Sequence, residues 1–173
     1  KKTLDDRETD SISAFLFHTG GNENPQPLIS NKGKSYQGST LLGMGFTFDD
    51  SKPDLTPISE VDILIQKNPK NAECIFPYVG GDEVNSSPTH ESQRYVINFG
   101  EMGENEARNN YADLMAIVEE KVKPGRLAQN DKVAKAKWWQ YTRPRTDLYK
   151  AISDLEKVLV TNAQASSYLS FVF

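Results

Sequence analysis

The stretch Gln93-Arg94-Tyr95-Val96-Ile97-Asn98-Phe99, followed by the amphipathic run Glu104–Lys123, decides the reading of the fold. The first segment is rich in β-branched and aromatic residues and reads as a strand. In the second, Ala107, Tyr111, Leu114, Met115, Val118 and Val122 recur at spacings of four, three, one, three and four, which places them on one face of a helix. Pro124-Gly125 is expected to stop that helix.

Working outward, Ala72–Val79 reads as a second strand running into Gly80-Gly81-Asp82-Glu83, and Asn85-Ser86-Ser87-Pro88 as a loop. A helix is expected to begin near Ser59 as N-cap. Asp62 would be its box-like partner, with Ile58 and Ile63 as a hydrophobic staple. Upstream, Ser35–Ser39 and Gly43–Phe48 read as short β-like pieces whose glycines let backbone approach something closely. Ser11–Phe17 alternates as a strand and ends in the turn-forming cluster His18–Pro25. Downstream, a short helix is expected near Arg145–Ser153, with Leu148 and Ile152 facing inward, and then two strands, Lys157–Thr161 and Ser167–Phe173.

Strands and helices therefore interleave without a regular βαβ rhythm. The expectation is an α+β fold: a mixed or mostly antiparallel twisted sheet with two to three helices in a single domain. Residues 1–27 would form an N-terminal strand and flexible loop, and 28–173 the domain proper.

The chain has 173 residues, 37% hydrophobic and 25% charged, the balance of a globular protein able to bury a core without disulfides or structural metal. No apolar run nears the roughly 18–20 residues of a membrane span, so no membrane partner is expected. The charged opening Lys1–Asp10 lacks the apolar stretch of a secretory signal. Cys74, the only cysteine, reads as a small buried hydrophobe and suits a reducing compartment, so a cytoplasmic location is expected. An uncharged final segment ending at Phe173 leads to the expectation that the chain is a piece of a larger protein.

Catalytic patterns are few. Gly38–Gly45 has glycines without the Lys-Ser/Thr of a phosphate loop, and Gly43-Met44-Gly45-Phe46 lacks the third glycine of a dinucleotide fingerprint. His18 and His90, each in an expected loop, give no support to a metal site or a catalytic triad. Asp-Pro-Pro-Tyr-type methyltransferase chemistry is missing too, because Asn24-Pro25-Gln26-Pro27 interrupts the double proline. The chain is thus expected to be a non-catalytic fragment, with no cofactor or metal of its own.

Three segments in order resemble a known family: Ser35–Ser39 with Gly43–Phe46, then Ile75–Ser86, then Arg94–Phe99. Further blocks follow in register: Val122–Arg126, Lys137–Tyr141, Arg143–Arg145 with Leu148-Tyr149, and Val158–Val160. Together they resemble the target-recognition region that follows the catalytic domain in type IIG restriction-modification enzymes and adenine-N6 DNA methyltransferases. The resemblance covers roughly Leu28–Phe173.

It implies that a methyltransferase domain of the same polypeptide binds S-adenosylmethionine and flips and methylates adenine, while this part reads double-stranded DNA. Base edges would be read by Gln37, Asp82, Glu83, Asn85, Ser86, Gln93 and Arg94, whose donor and acceptor sets match those edges. Phosphates would be held by Lys121, Lys123, Arg126, Lys132, Lys135, Lys137, Arg143 and Arg145.

Charge speaks the other way, since the net charge is −4. It is unevenly spread: Lys1–Val118 carries 10 basic against 18 acidic residues, and Glu119–Lys157 carries 10 against 6. A locally basic stretch can still meet DNA if another domain supplies most phosphate contacts.

Competing readings stay open at several of these positions. Arg94 could pair internally with Asp82 or Glu83, Gly38 and Gly80-Gly81 could simply make turns, Lys132–Lys137 could be a solvated face, and Trp138 and Trp139 read as core packing. Two other function classes remain: a protein-interaction or scaffold module of a restriction complex, and a metal-dependent nuclease using Asp82 and Glu83. The nuclease needs both carboxylates to converge, whereas neighbours in an extended segment point to opposite faces.

Overall fold

The computed structural model of the chain describes residues 2–13, 15–17, 29–41, 43–163 and 171–173. They fall into two compact units, Lys1–Ser35 and Tyr36–Phe173. The first contains an antiparallel hairpin of β1 (Lys2–Leu4) and β2 (Arg7–Thr9), turned by Asp5 and Asp6 at φ of 50° and 60°. Asp tolerates the left-handed region better than most side chains, which suits a two-residue turn. The expected strand Ser11–Phe17 does not form. Ser13 instead accepts the Leu16 N–H at its carbonyl and the Phe17 N–H at its hydroxyl, so a local turn stands where the strand was expected. The His18–Pro25 loop and the first part of Ser167–Phe173 lie outside the described residues.

The second unit holds the core. Its central sheet is three-stranded and antiparallel, in the order β3 (Thr47–Phe48), β5 (Arg94–Ile97), β4 (Ile75–Tyr78). Directly opposed residues share a face. Ile75, Ile97, Tyr95 and Phe48 therefore line one side, and Phe76, Tyr78, Val96, Arg94 and Thr47 the other. The α+β class with an antiparallel sheet is as expected, and β5 lies inside the segment that predicted it. β4 is shorter than expected, because Pro69–Glu73 closes a 3-10 turn capped by the Asn68 side chain.

The helical layer is more broken than the sequence suggests. Helix α1 (Glu60–Lys67) forms, but Ser59 already has helical angles and makes no side-chain cap. The chain is bonded in helical fashion from Pro57 and Ile58, so the N-terminus has moved upstream of the expected cap. Ile63 is exposed, and Val61 and Leu64 are the residues α1 buries.

The single helix expected over Glu104–Lys123 is two, α3 (Glu104–Asn110) and α4 (Ala112–Lys121). The break is at Tyr111, at φ −133° and ψ 48°. Its hydroxyl donates to the Glu73 carboxylate at 2.6 Å and its ring packs on Phe99, two contacts outside the helix. The apolar face survives the break, with Ala107, Leu114, Met115, Val118 and Val122 all buried.

Pro124 and Gly125 do not end the helical run. They lie inside α5 (Lys123–Ala128), where proline in the first turn lacks only an N–H that has no intrahelical partner there. Asp131 then caps α6 (Lys132–Ala136) by accepting the Val133 and Ala134 N–H groups. Helix α7 (Thr146–Ile152) follows, with Leu148 and Ile152 half-buried, and a short antiparallel pair, β6 (Val160–Thr161) with β7 (Phe171–Val172), completes the description.

Trp138, Trp139 and Tyr141 join the core, as does Cys74. Among the described glycines, Gly45 permits a close backbone approach: a Cβ there would stand 2.7 Å from the Lys121 carbonyl oxygen at the end of α4. No helix among the described residues is long and apolar enough to cross a membrane.

Candidate functional site

Asn85–Pro88 was expected to be a loop, but Asn85 and Ser86 lie with Asp82 and Glu83 in a helix, α2 (Gly81–Ser86). Its Glu83 occupies the third helical position and accepts the Gly80 N–H at 2.8 Å, the reciprocal half of a capping box. The same carboxylate faces Arg94 on β5. Arg94 donates from Nε to Oε1 at 2.7 Å and from Nη2 to Oε2 at 2.6 Å, a two-pronged pair with both side chains largely buried. The guanidinium also lies 5.1 Å from the centre of the Tyr78 ring and 3.9 Å from the buried Asp49 carboxylate.

Burial pushes the Glu83 carboxyl up, but the Arg94 hydrogen bonds and the Gly80 N–H outweigh it and hold it below the usual range. Arg94 is held above its usual value, chiefly by its hydrogen bond to Glu83. Glu83 and Arg94 are therefore corrected from base readers to an internal tie between α2 and the sheet. Each is spent on the other, since exposing either to a base would strand its partner in a poorly solvated site.

The tie leaves the remaining members of this group outward. Asp82, Asn85 and Ser86 are exposed on α2, and Gln93 is exposed at the entry to β5. His90, which follows α2, packs its Nδ1 against the Glu83 carbonyl oxygen at 3.1 Å. Asp82 and Glu83 do not converge, the one exposed and the other turned to Arg94, so the two-carboxylate arrangement that the nuclease reading requires is not formed. Among the described residues, no group of three or more His, Cys, Asp or Glu side chains could hold a metal ion.

Gln37 sits elsewhere in the sequence but beside Arg145, whose Nη2 donates to its amide oxygen. Two neighbours repeat the connection: Ser39 hydrogen-bonds the Tyr149 hydroxyl at 2.7 Å, and Thr40 bridges Arg143. The extended segment 37–40 is thus pinned to the approach and first turns of α7.

The eight basic residues divide sharply. Arg126 is corrected from a phosphate contact to a core residue. It is almost wholly buried, donating to the Leu41 carbonyl at 3.0 Å and to the Thr142 hydroxyl at 3.2 Å, and its guanidinium lies over the Phe46 ring. Burial lowers its proton affinity, and the Asp131 charge opposes that. Lys123 is committed to Glu119 and the Trp138 ring, Lys121 donates to the Asp54 carbonyl, and Arg145 is held by Gln37. Lys132, Lys135, Lys137 and Arg143 remain exposed.

The structure also contains a feature that the sequence did not signal, a cavity of about 840 Å³ in the second unit. The sheet face bearing Phe76, Tyr78 and Val96 forms its floor, and Leu148 and Tyr149 of α7 line it from across the chain. Alternation along β4 placed Phe76 and Tyr78 on a common face, but nothing local indicated that the face is left partly uncovered.

No family model matches the chain, and no curated protein or solved structure does either.

Proposed function

We propose that this chain is a sequence-specific DNA target-recognition domain. It would act in the cytoplasm beside an S-adenosylmethionine-dependent adenine-N6 methyltransferase domain, in a methyltransferase or a fused restriction-modification enzyme. The reading rests on the ordered resemblance of the segments around Tyr36–Phe46, Ile75–Ser86 and Arg94–Phe99 to that family. Its principal geometric support is the Arg94–Glu83 tie, which fixes α2 to the sheet, while Asp82, Asn85 and Ser86 on α2 and Gln93 at the entry to β5 are exposed. Carboxylate, amide and hydroxyl groups on a rigid support are the chemistry that reads base edges, because each must be held in place before it can discriminate.

Lys132, Lys135, Lys137 and Arg143 are exposed cations of the basic stretch and take the phosphate role. Four phosphate contacts give an expected slope of log affinity against log salt of about −3.6. Affinity for duplex DNA should then fall roughly 10²-fold between 50 and 200 mM salt, measured by fluorescence anisotropy. A folded domain with no binding, or with binding insensitive to salt, counts against the reading. In a protein containing the catalytic domain, exchanging Asp82, Asn85 or Gln93 should alter which sequence is methylated. Methylome sequencing that finds only lost activity assigns them a structural role.

A further inference from the structure

The 840 Å³ cavity has the size of a small-molecule site, and its lining is chemically one-sided. Aromatic rings dominate: Phe76 and Tyr78 from β4, with Phe99, Tyr111, Tyr141 and Tyr149. Among the described residues that line it, Glu73 is the only charged one. Phe76 is 44% exposed although it lies on a central sheet face, so its ring has no full complement of neighbours.

The polar groups in the lining mostly satisfy one another. Tyr111 donates to one oxygen of Glu73, Tyr141 donates to the Ile97 carbonyl, and Tyr149 pairs with Ser39. Cys74 is buried in the wall, and its thiol is pushed up to about 11, mainly by that burial, so it stays a neutral thiol.

We propose that this cavity is a binding site for a small aromatic or aliphatic organic cation, an amine or quaternary ammonium, whose charge lies among the tyrosine rings and faces Glu73. The faces of aromatic rings carry negative potential and attract cations, most strongly where water is excluded. The Glu73 carboxylate, with no lysine or arginine among the described lining residues, adds to that field and repels phosphates and carboxylates; Arg94 lies over the Tyr78 ring, so the tyrosine rings available to the ligand are those of Tyr111, Tyr141 and Tyr149. The site is independent of the DNA-reading proposal, since it uses none of the residues assigned to bases or phosphates.

The test compares three molecules of similar shape on the full chain: benzyltrimethylammonium, its neutral carbon isostere neopentylbenzene, and phenylacetate. Binding is followed by NMR shifts of the tyrosine rings and of the Gly38 and Gly100 amides. For a ligand of this size the expected Kd is about 0.1–5 mM, with the cation bound roughly 3- to 30-fold more tightly than the isostere and the anion weakest. Glu73→Gln keeps an oxygen to accept from Tyr111 and should erase much of the cation's advantage while leaving the isostere unchanged. Tyr149→Leu should weaken the cation more than the isostere, and the isostere's retained binding reports that the cavity is intact. Absence of binding by all three at 10-fold above that range (about 50 mM for the soluble ions), a preference for phenylacetate, or a cation preference unaltered by Glu73→Gln overturns the proposal.

Discussion

Replacing Arg94 by Ala separates a structural tie from a base contact. In the folded protein Arg94 makes two charge-assisted hydrogen bonds to Glu83, with side chains 15% and 6% exposed, and lies over Tyr78. Truncation leaves the Glu83 carboxylate with little water and, for compensation, backbone N–H groups at Gly80 and at Glu83 itself. Stranding one member of a buried pair costs about 3–5 kcal/mol. The residual exposure here favours the lower end, and loss of the cation–π contact adds about 0.5–1 kcal/mol.

A loss near 3 kcal/mol is a large share of the roughly 5–15 kcal/mol by which domains are stable. For a chain of this size it lowers Tm by about 6–12 °C. Urea unfolding at pH 7 of wild type, Arg94→Ala, Glu83→Gln and the double variant gives the coupling directly, expected above about 1 kcal/mol. A stability change within about 0.5 kcal/mol, as at an ordinary surface site, accompanied by weakened DNA binding would refute the tie and restore Arg94 as a base reader.

Acid should expose the same pair. Glu83 has a folded value below its ordinary 4.5, so its contribution is complete above pH 4.5 and is lost as pH falls through the depressed folded value; the urea midpoints of wild type and Glu83→Gln should converge over that window. Glu119, held at about 2 by hydrogen bonds from Arg108 and Lys123, loses its smaller, water-screened contribution between 4.5 and about 2. Gly45→Ala should destabilise by about 1–3 kcal/mol, because the added carbon meets Lys121 backbone that cannot swing away; Gly38→Ala, with nothing within 4 Å, should be close to neutral in the same thermal melt. Arg126→Ala should cost roughly 3 kcal/mol or more yet leave the salt slope of any DNA binding unchanged, and a flatter slope in the folded variant would return Arg126 to the phosphate-contacting set.

Sequence alone determined those features that arise from a residue and its near neighbours. The β-branched and aromatic content of Gln93–Phe99 marked a strand, spacing in Glu104–Lys123 marked a helical face, and the apolar character of Cys74, Trp138 and Trp139 placed them inside.

Tertiary structure decided how each versatile side chain was used. Arginine, glutamate and glutamine offer the same donors and acceptors whether they face a base or a neighbour, and the neighbour here comes from far along the chain. Arg94 meets Glu83 across 11 positions, Tyr111 meets Glu73 across 38, Arg126 meets Leu41 across 85 and Gln37 meets Arg145 across 108. Which groups are consumed internally, which remain exposed on α2 and α6, and where the sheet is left uncovered are set by packing at those distances. Burial makes the choice energetically binding, because a charge removed from water must find its partner within the fold.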